Sequence, residues 1–284
     1  MWEKEELRDF LEEKVIEFNR SSFIEGDPVS IPHRFRKKPD IEIAGFFTAI
    51  FSWGNRRAII QKSNELMGMM DDQPHDFILN HQPADLKPLR SFKHRTFNST
   101  DLLYFIRFLN SHYKRSNTLE DAFLPAKIQL KKNSLGKEAM LPAVHTPSQP
   151  LDLSGGNEPV KKALSFFCDR FFSIPGAPPR TKKHIASPDK KSTCKRLNMF
   201  LRWMVRQDNK GVDFGIWKGI TPAELICPVD LHVARVARGF ELINRKQTDW
   251  QTAMELTLSL RDMDRDDPVK FDFALFGLGV TKKF

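Results

Sequence analysis

The sequence predicts an all-α fold, formed by one large domain or by two closely packed helical subdomains. Apolar residues recur at spacings of three and four along most of the chain, which is the pattern of helices with one buried face. No two neighbouring segments alternate like paired strands, and no internal repeat is found. The chain has 284 residues, of which 40% are hydrophobic and 29% are charged, so it can bury a sizeable core.

The first half of the chain is predicted to contain an N-terminal helix and loop over residues 1–40 and a helical subdomain over 41–124. In this subdomain a nearly apolar helix begins at Ile41 and is broken by the turn Ser52-Trp53-Gly54-Asn55. Asn55 is a suitable cap for a second helix, so the pattern predicts a helical hairpin with an outward-projecting turn. Hinge packing and capping alone would also explain Trp53 and Asn55.

Residues 125–159 are predicted to form a surface excursion or linker, and residues 160–284 a second helical subdomain. The excursion is rich in Lys, Ser, Gly, Pro and Asn, and no hydrophobic period continues through it. Within the second subdomain, Ser187-Pro188 is a helix-start signal, and apolar residues at helical spacing follow it. One helix is therefore predicted over residues 189–206.

The net charge of +9 and the pI of about 9.4 predict a polyanionic partner. Most of the excess comes from the segment Arg180–Arg206, which holds nine basic residues against one acidic residue, Asp189. Nucleic acid is the polyanion that such a concentrated segment favours. A solvated basic face is the plainer alternative.

The cysteines are too scattered for a disulfide framework, a zinc site or an iron–sulfur cluster: they are Cys168, Cys194 and Cys227. We therefore expect no metal and no cofactor. No apolar run is long enough to cross a bilayer, and the first residues are charged, unlike a signal peptide. We expect a cytoplasmic protein that does not bind membranes, and a monomer.

The segment from Cys227 to Ala237 combines a carboxylate, an imidazole and an arginine at a predicted helix start. Pro228 disfavours helix in the residue before it, and Asp230 is a good N-cap. Apolar residues at helical spacing anchor one face of the helix, so the Asp230 carboxylate is held in a fixed place. Capping alone would explain this aspartate. Capping is also compatible with catalysis, in which a carboxylate stabilises positive charge and moves protons.

Lysines on the predicted basic helix are candidate nucleophiles. A lysine amine attacks carbon only when it is deprotonated, and the positive end of a helix dipole beside other cations favours that form. Lys190 and Lys191 are expected in the first turn of this helix, with Lys195 one turn further on. An amine that attacks a sugar carbon also needs a carboxylate nearby, and Asp230 is available for that role.

Four segments resemble the helix-hairpin-helix DNA glycosylases. The sequence Pro228-Val229-Asp230-Leu231-His232 resembles the signature that carries their catalytic aspartate. The residues from Ile50 to Arg56 are similar to the turn that fills the gap left by a flipped base. The residues from Phe271 to Phe276 are similar to the C-terminal helix that holds the base in 8-oxoguanine glycosylases. Lys190-Lys191-Ser192-Thr193 is similar to the Lys-Thr helix start of the archaeal 8-oxoguanine glycosylases.

From about residue 41 to its end, the chain also resembles an uncharacterised bacterial family distantly related to the archaeal branch. The resemblance implies two helical subdomains with a cleft, and roles for particular residues. The implied catalytic residues are Asp230, Lys191, Lys190 and Lys195. The implied base-binding residues are Asp272, Phe276, Trp53 and Asn55. The implied phosphate contacts are His232, Lys182, Lys183 and Arg235. Among the lysines, the expected position at the positive end of the helix dipole favours Lys190 and Lys191 as the nucleophile. The similarity to the archaeal Lys-Thr pair favours Lys191.

Three features depart from the glycosylase pattern. The chain has no Leu-Pro-Gly-Val-Gly hairpin. Lys191 and Asp230 are 39 positions apart, which exceeds the spacing in most glycosylases of this kind. The connection between the two residues is also longer in the archaeal branch. The absence of a cysteine cluster excludes the iron–sulfur subclass.

Two functions from different classes are therefore predicted. The first is a DNA base-excision glycosylase, with or without a lyase step, that flips an oxidised purine such as 8-oxoguanine out of double-stranded DNA. The alternative is a non-catalytic nucleic-acid-binding protein on the same scaffold. A third and plainer possibility is a helical interaction protein whose basic loop meets an acidic partner.

Overall fold

The computed structural model describes residues 2–124 and 159–281, and it confirms the all-α prediction. Twelve α-helices are found in these ranges. They are α1 (Lys4–Phe18), α2 (Ser22–Glu25), α3 (Lys38–Phe51), α4 (Arg56–Gly68), α5 (Pro74–Asn80), α6 (Leu86–Leu89), α7 (Ser99–Tyr113), α8 (Pro159–Phe172), α9 (Lys195–Val205), α10 (Leu231–Gly239), α11 (Trp250–Arg261) and α12 (Phe271–Val280). Apart from Pro159, which opens α8, the predicted excursion over 125–159 lies outside the described residues.

Short 3₁₀ helices and one small strand pair complete the described secondary structure. The 3₁₀ helices are Pro28–Ser30, Pro32–Arg34, Leu119–Ala122, Pro179–Lys183, Pro188–Lys190, Pro222–Glu224 and Pro268–Lys270. The strands β1 (Lys93–His94) and β2 (Phe97–Asn98) pair antiparallel. The prediction of no strand pair was wrong here, because two-residue strands are too short to show an alternating pattern.

Helix α3 lies at the centre of the core, as its nearly apolar sequence predicts. Its residues from Asp40 to Phe51 are buried, and it packs against α4, α5 and α9. The Phe46 ring lies 5.6–5.7 Å from the rings of Phe105, Phe167 and Phe200. Burying a phenylalanine contributes roughly 1.5–3 kcal/mol, so this cluster of rings is a large part of what holds the fold together.

Glu42 is a fully buried carboxylate on α3 whose two oxygens are completely satisfied. It accepts hydrogen bonds from the Tyr113 hydroxyl at 2.9 Å and from the Trp217 indole N–H at 2.6 Å. The Thr118 hydroxyl and the Leu119 amide add bonds of 2.5 and 2.9 Å. Burial raises the pKa of Glu42, and these four donors oppose the rise. The carboxylate thereby ties α3 to three other parts of the chain.

The two ends of the described chain meet, because α1 packs against α12 and α12 packs against α10. Gly277 permits the close approach, since a Cβ at that position would collide with the Phe18 ring. The buried apolar residues of the described ranges form one continuous core. Among the same residues, no helix has both the length and the apolar character needed to cross a membrane. The predicted division of the chain at residues 40, 124 and 159 stays a prediction.

The predicted helix over 189–206 is two separate elements. Ser187-Pro188 does start a helical turn, but the turn is a 3₁₀ helix that ends at Lys190. Lys191 and Cys194 then adopt left-handed backbone conformations with φ of 59° and 51°, which an α-helix does not accommodate. Helix α9 consequently begins at Lys195, so the placement of Lys190 and Lys191 in its first turn was wrong.

Candidate functional site

A cleft of about 680 Å³ opens where the first turns of α9 and α10 face the α3–α4 turn and α12. Its walls combine aromatic rings, cations and carboxylates. Its lining residues are Phe23, Asp27, Pro28, Ser52, Trp53, Gly54, Arg56, Ile59, Lys195, Arg196, Met199, Arg202, Trp203, Pro228, Asp230, Leu231, His232, Val233, Asp272, Phe276 and Val280. A cavity of this size, with charged groups converging on a largely apolar wall, is typical of a ligand site.

Lys195 and Asp230 form an ion pair in the cleft. The lysine Nζ lies 3.7 Å from the aspartate Oδ2, and the two side chains keep 25% and 23% of their surface exposed. Asp230 caps α10, as predicted: its Oδ1 accepts hydrogen bonds from the backbone N–H groups of His232 at 2.9 Å and Val233 at 3.0 Å. The cap leaves Oδ2 directed at the lysine.

The local sequence explains why these two side chains converge. Lys195 is the first residue of α9, because Cys194 is the left-handed residue at its N-cap. Asp230 is the N-cap of α10, following the extended segment at Pro228. Two helix N-termini therefore face one cleft, and their dipoles add positive potential to it. Such a site favours a bound anion or a carboxylate.

Lys190 and Lys191 are exposed and do not line the cleft. The backbone carbonyl of Lys191 accepts a hydrogen bond of 3.1 Å from the Trp250 N–H, which holds this turn against the start of α11. Of the three candidate lysines, Lys195 alone is brought to the Asp230 carboxylate within the described residues.

Asp272 lines the cleft from the first turn of α12, and both of its oxygens are engaged. Oδ2 accepts a hydrogen bond from Nη1 of Arg202, and Oδ1 lies 4.0 Å from the Cys227 sulfur. Burial is the main cause that raises the pKa of Asp272 to about 6. The Asp230 charge adds to the rise, whereas Arg202 and Lys195 oppose it.

Two of the aromatic rings in the cleft walls, those of Phe276 and Trp53, each lie beside an arginine. The Arg56 guanidinium lies 5.4 Å from the centre of the Phe276 ring, and that of Arg95 lies 4.6 Å from the Trp53 ring. Gly54 has a φ of 95°, and a Cβ there would collide with the Arg95 guanidinium. The glycine thus permits the arginine at the tip of the β1–β2 hairpin to stack on the tryptophan.

Asn55 is exposed and lies outside the cleft lining. Its Oδ1 accepts a hydrogen bond of 3.1 Å from the Ala58 N–H, which confirms the predicted cap of α4. The geometry brings Asp272, Phe276 and Trp53 to the cleft but does not bring Asn55 there.

The four predicted phosphate contacts are all exposed, but they occupy different places. His232 lines the cleft beside Asp230. Lys182 and Lys183 lie on the 3₁₀ helix Pro179–Lys183, outside the lining. Arg235 donates a hydrogen bond of 2.9 Å to the Gly279 carbonyl, which ties α10 to α12.

The basic segment Arg180–Arg206 is less of a surface patch than its sequence predicts. Arg202 and Arg206 are buried and pair with aspartates. Arg202 lies 3.3 Å from Asp213, and Arg206 lies 3.1 Å from Asp213 and 2.9 Å from Asp267. Both arginines are committed to these aspartates, so they are not available for a polyanion.

Sequence reasoning missed several cleft residues: Asp27, Arg56, Arg202 and Leu231. An aspartate before a proline is a cap signal, so Asp27-Pro28 predicts a helical turn but not a place in the cleft. No local signal could have found Arg202, because its partners are distant in sequence. Across residues 2–124 and 159–281, no cluster of His, Cys, Asp and Glu could hold a metal ion.

The comparisons with known proteins place the chain in a family without assigning an activity. No curated protein matches the sequence, and no solved structure matches it. One family model matches residues 27–281, which include every residue of the cleft except Phe23. The chain therefore belongs to the family described as protein of unknown function (DUF2400).

Proposed function

We propose that this protein is a DNA glycosylase that removes a damaged purine, with Lys195 as nucleophile and Asp230 as its carboxylate partner. The main support for this proposal is the 3.7 Å distance between Lys195 Nζ and Asp230 Oδ2, in a cleft lined by aromatic rings. The resemblance around Pro228–His232 supports the same chemistry. The proposed unit is a monomer acting on double-stranded DNA.

The proposed reaction uses the pair in a defined order. The ion pair first shifts a proton from the Lys195 ammonium to Asp230, the neutral amine then attacks C1′ of the nucleotide, and the bond from C1′ to the base nitrogen breaks. The bonding electrons leave with the base, which takes up the proton held by Asp230. Asp230 stabilises positive charge on the sugar and accepts the proton released by the attacking amine. Opening of the sugar ring then gives a Schiff base, from which strand cleavage can follow.

The cleft walls suit a base that has left the stack. Trp53 and Phe276 line the cleft, and stacking on an aromatic side chain contributes about 1–3 kcal/mol per base. Flipping a base out of a duplex costs a few kcal/mol, which such stacking can offset. Arg56 and Arg95, beside these rings, add positive charge that favours the DNA backbone.

Borohydride trapping tests the proposal directly. Reduction of the Schiff base should crosslink the protein to a duplex that contains 8-oxoguanine. Lys195→Ala should abolish the crosslink, whereas Lys191→Ala should retain it, because Lys191 lies outside the cleft lining. Asp230→Asn keeps a cap of equal quality and should slow base release by about 10²–10⁴-fold.

A panel of lesions decides between this function and the non-catalytic alternative. The absence of both a crosslink and base release, with every oxidised, alkylated or deaminated purine tried, would sink the enzyme proposal. DNA binding that weakens with salt and survives Asp230→Asn without any turnover would then favour a nucleic-acid-binding protein on this scaffold.

A further inference from the structure

Asp27 is a cleft residue that the glycosylase resemblance does not assign. It is buried, with 7% of its surface exposed, and it lies in the cleft lining together with Lys195. Its Oδ1 accepts a hydrogen bond of 3.0 Å from the Val29 N–H and so caps the 3₁₀ helix Pro28–Ser30. Pro28 fixes the first residue of that helix, so the aspartate is held rigidly.

The second carboxylate oxygen of Asp27 has no such partner. Oδ2 accepts no hydrogen bond from any residue that the structure describes, and no cation in those ranges forms an ion pair with it. Buried carboxylates are normally paired or fully hydrogen-bonded. The charges of Arg56, Arg202 and Lys195 act on Asp27 from a distance, while burial raises its pKa. This oxygen is therefore an unused acceptor on a residue of the cleft that also holds the proposed nucleophile, and a ligand with a donor can bind it.

The other two carboxylates that line the described cleft cannot take this role. Asp230 uses one oxygen to cap α10 and directs the other at Lys195. Asp272 directs one oxygen at Arg202 and the other at the Cys227 sulfur. Asp27 is the carboxylate with an uncommitted oxygen, so a ligand with hydrogen-bond donors would complete it.

We propose that Asp27 reads the base in the cleft by accepting hydrogen bonds from the N–H donors of a guanine-type purine. This inference rests on the proposed function. A guanine-type base carries a ring N1–H next to an exocyclic amine, and both groups donate. An adenine-type base has an N1 lone pair on that edge, which a carboxylate repels. Asp27 therefore favours guanine-type over adenine-type bases.

The test measures the affinity of the full chain for two duplexes that carry non-cleavable 2′-fluoro nucleotides, one with 8-oxoguanine and one with 8-oxoadenine. Asp27→Asn preserves the cap, because asparagine caps as well as aspartate, and it replaces the free oxygen with an amide. We expect about 10- to 100-fold weaker binding of the 8-oxoguanine duplex, as for a lost hydrogen bond to a charged group. The 8-oxoadenine duplex should change by less than about 3-fold, because its N1 lone pair stands where the guanine-type base has its N1–H donor.

Asp249→Asn is the matched control, since Asp249 also caps a helix but lies outside the cleft lining. It should leave both affinities unchanged. An equal loss for both duplexes in Asp27→Asn, or no loss for either, would overturn the inference. A wild-type chain that does not distinguish the two duplexes would overturn it as well.

The binding measurement and the trapping experiment fail independently. Failed trapping together with base preference that depends on Asp27 would remove the enzyme proposal and keep the inference as a binding property. Successful trapping, together with an unchanged base preference in Asp27→Asn, would keep the enzyme proposal and remove the inference about Asp27.

Discussion

Glu42 and Asp27 are both buried carboxylates, and the difference between their surroundings separates the core of this protein from its cleft. Four donors surround Glu42, and they come from three segments of the chain. Asp27 lines the cleft and has one backbone donor among the described residues, so its other oxygen accepts no hydrogen bond from them. A fully satisfied carboxylate stabilises the fold and has no acceptor left for a ligand. A half-satisfied one keeps an acceptor for a ligand, and this contrast yields predictions about stability and binding.

The largest expected effect is the loss of stability in Glu42→Ala. Removal of the carboxylate leaves the Tyr113 hydroxyl and the Trp217 N–H without their acceptor in the core, together with the donors at Thr118 and Leu119. We expect the free energy of unfolding to fall by about 3–5 kcal/mol in urea titrations. DNA affinity below the melting temperature should be unchanged, because Glu42 does not line the cleft.

Glu65→Ala is the control for this variant. Glu65 is partly exposed and pairs with Lys62 at 2.7 Å, so its loss should cost less than about 1 kcal/mol. If both variants lost the same free energy of unfolding, the buried hydrogen bonds of Glu42 would not be what distinguishes it from Glu65.

The next largest effect is a pH dependence of stability that comes from Asp272. Burial raises the pKa of this carboxyl to about 6, so the folded chain binds its proton more tightly than the unfolded chain does. Its contribution to stability should therefore increase as the pH falls from about 6 towards 4, by about 3 kcal/mol in total. Asp272→Asn should lack this increase when unfolding is measured across pH 4–7.

An exposed aspartate provides the comparison for Asp272. Asp262→Asn should give a stability curve parallel to that of the wild type, because Asp262 keeps 67% of its side chain exposed. If the curve for Asp272→Asn were also parallel, Asp272 would behave as a surface carboxylate despite its place in the cleft.

The smallest expected effect is on DNA affinity at the cleft mouth. Arg95→Ala and Lys93→Ala each remove one positive charge from the β1–β2 hairpin, but Arg95 alone of the two stacks on Trp53. The stack, worth about 0.5–1 kcal/mol, holds the Arg95 charge at the cleft where DNA would lie, so Arg95→Ala should bind DNA about 2- to 5-fold more weakly than Lys93→Ala. Equal affinities in fluorescence anisotropy titrations would show that this stack has no part in binding.

The features predicted correctly from the sequence depend on neighbouring residues. The caps at Asn55 and Asp230 involve donors two or three residues away. The apolar run of α3 directly predicts that this helix is buried. Such signals lie within one turn of helix, where the sequence pattern is direct.

The features that were missed depend on distant residues. Lys191 leaves the helical path at a turn where its carbonyl is bonded to Trp250, and no local pattern indicates that contact. Asp27 reaches the cleft through the packing of the N-terminal segment, and Arg202 is held by Asp213 and Asp272. The choice of Lys195 over Lys190 and Lys191 therefore required the fold.

The convergence of two helix starts has a consequence for how relatives of this protein can be recognised. Helix α9 has 11 residues and is about 16 Å long, and the chain returns over that length before α10 begins. Backbone bonds of Phe214 to Trp203 and of Trp217 to Met204 fasten the start of the return to α9. The exposed turn at residues 209–211, which precedes these bonds, can lengthen or shorten without moving either end. The number of residues between the lysine and the aspartate is thus a poor fingerprint, whereas two facing helix starts are a good one.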